Sequence, residues 1–363
     1  MSSTARNTVA VKTVQDIVDA VRNAAANGTQ LTAARQVNDA ACQLDLSSMN
    51  AVVDYPARDM TVTVEAGMSL QVFSDLVSTE GQQLPVDMAD LGMTVGAFVA
   101  ADLAGPRQYG YGTLRDYLIG MEAVDGQGRV FHAGGRVVKN VAGYDLCRLM
   151  VGSRGALGIL SQVTFKLKPI PEQFLVQNWQ FAEKNAVAAS LNSLNKSAAR
   201  PVVIDVWSSD SLTWSVSVGV EGPPGVCDWQ IRRLQEEITD AVSSEIHAAD
   251  STAAMKYCAE GARRHIAAET VGIVMTVPSQ VVDVCSLLHE SGLTAISHAG
   301  NGIVVCCGES GLLPEDSVKQ IRSLVGNYGG FFVDSTNATT SRRSWNPLST
   351  GLVDVFDPGH VFV

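Results

Sequence analysis

The sequence predicts an α+β fold with two domains that meet near Pro171. Before that residue, short strands and helices lead into a glycine-rich stretch at residues 134–171. After it, six apolar strand-like segments are separated by three helical segments, a pattern typical of an antiparallel sheet covered by helices. With 363 residues, the chain is long enough for two hydrophobic cores.

The composition excludes several classes of function. The net charge is −11, from 26 basic and 37 acidic residues, and no basic run is present. This argues against binding to nucleic acid or to an anionic membrane surface. No apolar run is long enough for a membrane span, and the N-terminus lacks the layout of a signal peptide, so we expect a cytoplasmic protein.

The cysteine and histidine patterns give no metal or disulfide framework. Seven cysteines are present, without a C-x-x-C pair, which favours reduced and mostly buried thiols. No histidine pair has metal-ligand spacing, so we expect no metal site.

The first third of the chain shows clear local signals. A helix is predicted at residues 13–26, because apolar residues recur there with helical spacing. Thr13 is its expected N-cap, and Gly28 is expected to end it. Strands are expected at 51–53 and 60–65, a helix at 69–80, a helix from Thr94 to Gly105, and a hairpin of 117–124 with 129–133.

The stretch 134–171 is the most informative part of the sequence. Its last strand, at 162–168, alternates apolar with polar residues, so one face should be buried and the other wet. Its glycines leave backbone amides unshielded, which suits a loop that lies against a phosphate or a ring system.

Three motifs together resemble the flavin-binding half of the vanillyl-alcohol oxidase and p-cresol methylhydroxylase (PCMH-type) family, and within it the smaller flavin subunit of bacterial glycolate oxidase. They are G-P-R-x-Y-G-Y-G-T-L-R-D at 105–116, K-N-V-A-G-Y-D at 139–145, and G-x-L-G-I at 155–159. The resemblance covers residues 45–171 well and the rest loosely.

This resemblance implies a two-subdomain FAD-binding fold with an α+β cap domain that carries an antiparallel sheet. The expected limits are 1–171 for the FAD-binding domain, 172–340 for the cap, and 341–363 for a C-terminal segment that returns to the first domain. The resemblance also implies that these residues bind FAD: Thr94, Val95, Gly96, Gly105, Asn140, Gly143, Tyr144, Asp145, Gly155, Leu157, Gly158 and Ile159.

Three of these assignments have simpler alternatives. Asp145 could cap the next helix, and Tyr144 could be a core residue. The segment 155–159 could be a tight turn into a strand.

Two departures from the family pattern concern the cofactor. In the family, a glycine-rich loop after the first helix wraps the pyrophosphate, but residues 29–39 contain no glycine. Ala97 replaces a second glycine of the segment that begins at Thr94. We therefore expect non-covalent FAD binding that is weaker than in the family. Arg35 could offset the missing glycines by binding a phosphate, and the alternative is that Arg35 is a solvated surface charge. No histidine or cysteine in the first 45 residues aligns with a covalent flavin link.

The expected catalytic residues are Arg107, Tyr109 and His298. His298 is included because the run His298–Gly302 resembles a His-x-Gly-Asp-Gly run that supplies an active-site histidine in larger flavin subunits of related 2-hydroxyacid oxidoreductases, although Asn301 stands here in place of the acid. An arginine suits a substrate carboxylate, a phenol can orient a hydroxyl, and a histidine can accept a hydroxyl proton. The alternatives are a surface loop around Arg107, with Arg115 paired to an acid, and a plain hairpin turn in the run His298–Gly302.

The cap region is expected to contain strands at 202–206, 214–220, 270–276, 294–297, 303–306 and 330–333. Helices are expected at 228–242, 279–290 and 314–327, a loop at 223–225, and an irregular surface excursion at 243–262.

The resemblance implies an FAD-dependent oxidoreductase, or a subunit of one, that oxidises a small 2-hydroxy acid such as glycolate. Its partners would include other glycolate oxidase-like subunits, among them an iron–sulfur electron acceptor. Two alternatives remain: a degenerate flavin-fold subunit that serves as an assembly partner, and an oxidoreductase that acts on an alcohol or phenol.

Overall fold

The structure is a computed structural model of the 363-residue chain. It describes residues 8–33, 42–135, 144–208, 213–267, 270–308, 315–327, 330–334 and 347–362. No helix in these ranges is long and apolar enough to cross a membrane.

The first domain contains two larger sheets, a two-stranded antiparallel pairing of its sixth and tenth strands, and several helices. In chain order its elements are β1 (Thr8–Ala10), α1 (Val14–Asn27), β2 (Leu31–Thr32), β3 (Cys42–Asp45), β4 (Val52–Asp54), β5 (Thr61–Glu65), α2 (Leu70–Ser78), β6 (Gln82–Gln83), α3 (Val95–Ala101), α4 (Gln108–Tyr111), β7 (Leu118–Val124), β8 (Val130–Gly134), α5 (Leu146–Met150), β9 (Ile159–Lys166) and β10 (Lys168–Pro169). A small parallel sheet has the order β1-β3-β2, and a five-stranded antiparallel sheet has the order β4-β5-β9-β7-β8.

Helix α1 follows its sequence signals. The Thr13 hydroxyl accepts from the Asp16 amide, the Asp16 carboxylate accepts from the Thr13 amide, and Gly28 ends the helix in the left-handed conformation. The expected helix from Thr94 to Gly105 is shorter, because Asp102 is left-handed (φ 48°) and ends α3. The polar face of β9 is not fully exposed to solvent. Thr164 is buried, and its hydroxyl forms a 2.9 Å hydrogen bond with the Thr63 hydroxyl.

The cap is one antiparallel sheet with helices. Its elements are β11 (Gln173–Phe181), α6 (Lys184–Lys196), β12 (Val203–Ser208), β13 (Trp214–Gly222), α7 (Pro224–Glu237), β14 (Ser243–Ala248), α8 (Ser251–Arg263), β15 (Thr270–Met275), α9 (Val281–Glu290), β16 (Thr294–His298), β17 (Ile303–Cys307), α10 (Glu315–Asn327) and β18 (Phe331–Asp334). The strand order is β14-β11-β13-β12-β16-β17-β15-β18. The expected α+β fold with an antiparallel cap sheet is confirmed.

Two expectations about the cap are wrong. The supposed excursion 243–262 forms the edge strand β14 and helix α8, whose buried residues are small and recur every fourth position (Ala254, Cys258, Ala262). The supposed loop 223–225 starts α7, because Pro223 is the N-cap and Pro224 is the first helical residue.

The two faces of the cap sheet pack against different partners. One face meets α6, α7, α9 and α10 in a large apolar core, and the other meets α8 through residues such as Phe174 and Val203. The C-terminal helix α11 (Pro347–Phe356) and the residues after it rejoin the first domain, where Val353 and Phe362 enter two of its cores. These contacts are the basis on which we propose the limits 1–171, 172–340 and 341–363.

Candidate functional site

The loop between α5 and β9 turns through several residues with positive φ. Gly152, Arg154, Gly155 and Gly158 all have positive φ. The hydroxyl of Ser153 is buried and has no hydrogen-bond partner among the described residues. A buried hydroxyl without a partner requires an explanation, and a missing ligand is one.

The two motif glycines of this loop differ in what surrounds them. A Cβ added at Gly155 would meet no atom within 4 Å, so this position is open to a ligand. A Cβ added at Gly158 would lie 2.8 Å from the Val124 carbonyl oxygen, so close packing on β7 already requires this glycine. The side chains of Leu157 and Ile159 are buried in the core, and their backbone alone faces the loop.

The motif before α5 is only partly described. Asp145 caps α5, because its carboxylate accepts from the Arg148 amide at 3.1 Å. Tyr144 is 95% exposed, so the alternative that it is a core residue is wrong. Asn140 and Gly143, together with Arg35 in the glycine-poor segment, lie outside the described residues.

The start of α3 does not offer free amides to a phosphate. The Val95 amide donates to the Met68 carbonyl and the Gly96 amide to the Ala66 carbonyl, each at 2.8 Å. The Ala97 amide donates to the Thr94 hydroxyl at 3.2 Å. Because protein oxygens occupy these first-turn donors, the expected anion site at residues 94–96 is not supported by its geometry.

Gly105 and Arg107 pack against a single acid. A Cβ at Gly105 would lie 2.5 Å from the Asp87 Cβ, so the glycine is needed for close approach. The Arg107 guanidinium is 1% exposed; its Nε lies 2.7 Å from Asp87 Oδ1, and its Nη1 donates to Gln83 at 2.9 Å and lies 3.6 Å from Glu221 Oε1. Arg107 is therefore bound by protein groups from both domains, which favours a structural role over substrate binding.

The charged groups of this cluster shift one another's pKa values. Burial alone would lower the pKa of Arg107, but Asp87 and then other acids raise it above its usual value. Burial raises the pKa of Glu221, against the opposing effects of Arg107 and of the Tyr111 hydroxyl, which donates to Glu221.

Tyr109 also lies at the domain contact. A Cβ at Gly300 would overlap its ring, and the neighbouring Gly110 amide donates to the Val202 carbonyl of the cap at 3.2 Å. The short helix α4 therefore docks directly on the cap, beside the turn that follows His298.

His298 is buried and belongs to a hydrogen-bonded chain. Its Nδ1 lies 2.9 Å from Asp205 Oδ1, and its Nε2 lies 3.1 Å from the Nε2 of His265. The two imidazole rings are nearly parallel, with an interplanar angle of 15° and centroids 5.3 Å apart. The Tyr257 hydroxyl donates to the second oxygen of Asp205 at 2.7 Å. The turn expected after His298 is also present, since Ala299–Asn301 form a 3-10 turn that ends at Gly302.

Asp205 and His265 were not expected from the sequence. His265 lies in the 3-10 turn Arg264–Ile266 after α8, beyond the segment 243–262 that was expected to be irregular, and Asp205 lies 93 residues before His298. The four-residue spacing of Ala254, Cys258 and Ala262 is the signal that could have predicted α8 and its end beside His298.

This chain of side chains lies where the two domains touch. The Arg263 Nε donates to the Ala89 carbonyl at 3.2 Å, and a Cβ at Gly261 would lie 2.6 Å from Pro106 Cγ and 3.5 Å from the His298 ring. Burial and the neighbouring His298 lower the pKa of His265 to about 3, so its ring is neutral near pH 7. Arg107, Tyr109 and His298 are thus brought to one interface, with the first two in packing roles.

Residues 5–134 match the protein family described as "FAD binding domain". The Escherichia coli glycolate oxidase subunit GlcE is 39% identical over 134 residues, 36% of this chain and 38% of the relative. A D-2-hydroxyglutarate dehydrogenase of Xanthomonas citri pv. viticola is 36% identical over 129 residues, 35% of this chain and 27% of the relative. The matched regions therefore span less than half of these relatives.

The fold extends further than the sequence similarity. A solved structure of an alkyldihydroxyacetonephosphate synthase superposes on 98% of this chain and on 75% of its own chain, with a TM-score of 0.71 and 15% identity. At this identity the match supports the fold alone. Taken with the motifs at 105–116 and 155–159, these similarities relate residues 5–134 to FAD-binding domains and support a PCMH-type fold for the chain.

Proposed function

We propose that this protein takes part in the FAD-dependent oxidation of a small 2-hydroxy acid such as glycolate. The observation that carries the proposal is the chemistry shared by its relatives: glycolate and 2-hydroxyglutarate, in the names of two proteins that match the chain, are both 2-hydroxy acids. The fold alone would not support a substrate, because one fold hosts many reactions.

The loop Gly152–Ile159 fits the cofactor. It combines the unpaired buried hydroxyl of Ser153 with open space above Gly155. We infer that this loop holds part of FAD non-covalently, through its backbone and the Ser153 hydroxyl. When bound, FAD supplies the hydride acceptor.

The residues of the domain contact have separate roles in this proposal. Arg107 and Tyr109 fix the orientation of the cap relative to the first domain. His298 is buried and contacts the half-buried His265. An effect of His298 on a substrate would therefore be transmitted through His265. No side chain of the cluster needs to move for these roles.

The name of the GlcE relative, a glycolate oxidase subunit, also motivates a proposal about partners. We infer that this chain is one subunit of an assembly whose other members include a similar flavin subunit and an iron–sulfur electron acceptor. Purification of a tagged chain from its native cells, followed by identification of stoichiometric partners and iron analysis, tests this point.

Two observations favour a second function, that of an assembly partner with weak FAD binding or none. The amides at the start of α3 are occupied by protein oxygens, and residues 29–39 lack glycine. A charged hydrogen bond is worth about 1.5–3 kcal/mol, so the loss of two would weaken binding by about two to four powers of ten.

A single preparation separates the two functions. The visible spectrum of the purified protein, followed by FAD titration, gives the cofactor content and affinity. Anaerobic addition of glycolate, D-lactate and 2-hydroxyglutarate should then bleach the flavin absorbance if the proposed function is right. Absence of bleaching by every acid in FAD-loaded protein contradicts it, and failure to bind FAD at all supports the assembly role.

Arg35→Ala tests whether a cation compensates for the missing glycines. We expect a weaker affinity for FAD than in the wild-type protein, because a guanidinium can bind a phosphate directly. Nanomolar, stoichiometric binding that Arg35→Ala leaves unchanged would show that the glycine loop is dispensable.

A further inference from the structure

The cap sheet ends in a strand whose outer edge has no partner among the described strands. Strand β14 pairs with β11 on one side and is the first strand of the eight-stranded order. It has six residues, against four in β18 at the opposite edge, and residues 242–247 are all exposed. Edge strands are commonly protected by lysine or proline, and β14 contains neither. Its outer amides and carbonyls are therefore available to a further strand.

The exposed aliphatic residues of this edge lie on one face of the sheet. Ser244 is directly opposite Trp179, whose side chain belongs to the core under α7. Because alternate residues of a strand share a face, Val242 and Ile246 lie on the same face as Ser244. Val242 is 73% exposed and Ile246 is 55% exposed. The edge thus presents two aliphatic side chains, four residues apart, beside open backbone groups.

The regular part of the edge ends at Ile246. The pairing with β11 is in register from Ser243 to Ile246 and shifts before Ala248, so His247 lies at an irregularity. The His247 ring instead contacts Tyr257 of α8, with centroids 5.5 Å apart. At the other end, the Val242 amide still donates to β11, at 2.8 Å from the Gln180 carbonyl oxygen. A partner strand can therefore align with residues 242–246.

A second copy of this chain can pair with the edge in few registers. Two identical antiparallel strands related by a two-fold axis place one residue opposite its own copy. With Glu245 on the axis, two carboxylates would lie directly opposite each other, which is destabilising. With Ile246 on the axis, the pairing would run into the irregularity at His247. With Ser243 on the axis, Ile246 would lie opposite Asp240.

The register with Ser244 on the axis avoids each of these conflicts. Val242 of each copy then lies opposite Ile246 of the other, so two aliphatic contacts form on one face. Glu245 lies opposite Ser243 of the other copy, which separates the two carboxylates. The edge is thus complementary to itself within the range that is regular.

We propose that the β14 strands of two copies pair antiparallel about Ser244, so that the chain forms a two-fold dimer with one continuous cap sheet. The outer amides and carbonyls of each strand are then satisfied by the other, and Val242 and Ile246 are removed from water. Each copy uses the same edge, so the assembly closes at two chains. The dimer uses no residue assigned above to the cofactor or to the domain contact, so it is independent of the proposed function.

The mass of the full chain in solution tests the dimer. We expect sedimentation equilibrium over a concentration series to give twice the monomer mass for the wild-type protein. Ile246→Lys should give the monomer mass, because an ammonium group would then lie opposite Val242 of the other copy. The exposure of Ile246 allows this variant to fold, which circular dichroism checks. Val130→Lys, at a position 41% exposed on β8 of the first domain, is the matched control and should stay dimeric.

A cross-linking experiment tests the register. Residues directly opposite each other in an antiparallel pair have Cβ atoms about 4.5–5.5 Å apart, which a short bis-methanethiosulfonate reagent spans. We expect Ser244→Cys to give a cross-linked dimer that a reductant dissolves. Ser243→Cys should give far less, because its opposite residue is Glu245. The wild-type protein, with its seven cysteines, shows the background.

Each outcome decides the proposal. A wild-type chain that is monomeric throughout the series overturns it, even where the chain binds a different subunit in the assembly from native cells. A dimer that Ile246→Lys leaves intact also overturns it, because another surface then forms the contact, and so does a cross-link stronger at residue 243 than at 244. Loss of the dimer in Ile246→Lys, together with the cross-link at residue 244, supports it. None of these results depends on FAD binding or on oxidation of a hydroxy acid.

Discussion

Glu221 is a buried residue whose negative charge lowers the stability of the domain contact. It shares the domain contact with one guanidinium, Arg107, and a second carboxylate, Asp87, so the buried cluster has one negative charge in excess. A buried charge without full compensation is costly, and burial accordingly raises the pKa of Glu221. The ionised form is thus disfavoured in the folded protein.

The change Glu221→Gln should stabilise the protein at high pH. A raised folded pKa means that stability is lost as pH rises through it, and glutamine removes this loss while it can still accept from Tyr111. We expect a higher urea midpoint than wild type at pH 8 and no difference below about pH 4, near the usual pKa of glutamate. Glu245→Gln, at an exposed position of β14, should change neither value. A lower midpoint for Glu221→Gln at pH 8 would show that its charge is needed.

The candidate site was only partly predictable at this scale. A role for His298 was expected because the run His298–Gly302 resembles one that supplies an active-site histidine in related flavin subunits, and such a run is visible in one segment. The partners Asp205 and His265 are brought to it by strand register and by the end of a helix, which no local pattern contains. The motif glycines show the same limit: the sequence cannot distinguish Gly155, which faces open space, from Gly158, which faces Val124.

At the scale of elements, local signals predicted most of the fold where they were strong. Helix α1 matches its expected limits because capping and periodicity agree. Strand β14 and helix α8 were missed because a polar edge strand and a helix with small buried residues bury little apolar surface. Their stability comes from neighbours in space.

Helix α8 depends on a close contact with the first domain at Gly261. In Gly261→Val the new side chain would collide with Pro106, since a Cβ alone would lie 2.6 Å from its Cγ. We expect a loss of about 1–3 kcal/mol in unfolding free energy, as for other overpacked sites, together with slower flavin reduction. Gly225→Ala, in the first turn of α7 where a Cβ meets no atom within 4 Å, is the matched control. Equal stability of the two variants would contradict a tight contact.

At the scale of the whole molecule, the last residues complete the first domain. Leu31 donates to the Val361 carbonyl at 2.7 Å, and the buried Asp357 accepts from the amides of Val361 and Phe362 at 2.8 and 3.0 Å. The sequence predicted the return of this segment through a family resemblance, whereas its exact partners depend on the folded chain.

Phe362→Ala should destabilise the first domain although it lies at the end of the chain. Its ring is 1% exposed in a core with α1, and a buried Phe→Ala change costs about 3–5 kcal/mol. We expect a lower thermal midpoint than in the wild-type protein. If the two domains unfold in separate transitions, the first domain should unfold at the lower temperature, and FAD should raise that temperature. Val355→Ala, at a position 62% exposed, should leave the midpoint within about 1 °C. Equal midpoints for both variants would show that the terminal segment adds little.

The return of the C-terminal segment also sets an order of events during synthesis. Residues 172–340 emerge from the ribosome before Val353, Val361 and Phe362, so the cap can form its own core while the first domain still lacks these side chains. The core of the first domain is therefore completed after the cap. We expect nascent chains that end before residue 347 to leave the core beside α1 exposed to solvent, because Val361 and Phe362 belong to that core.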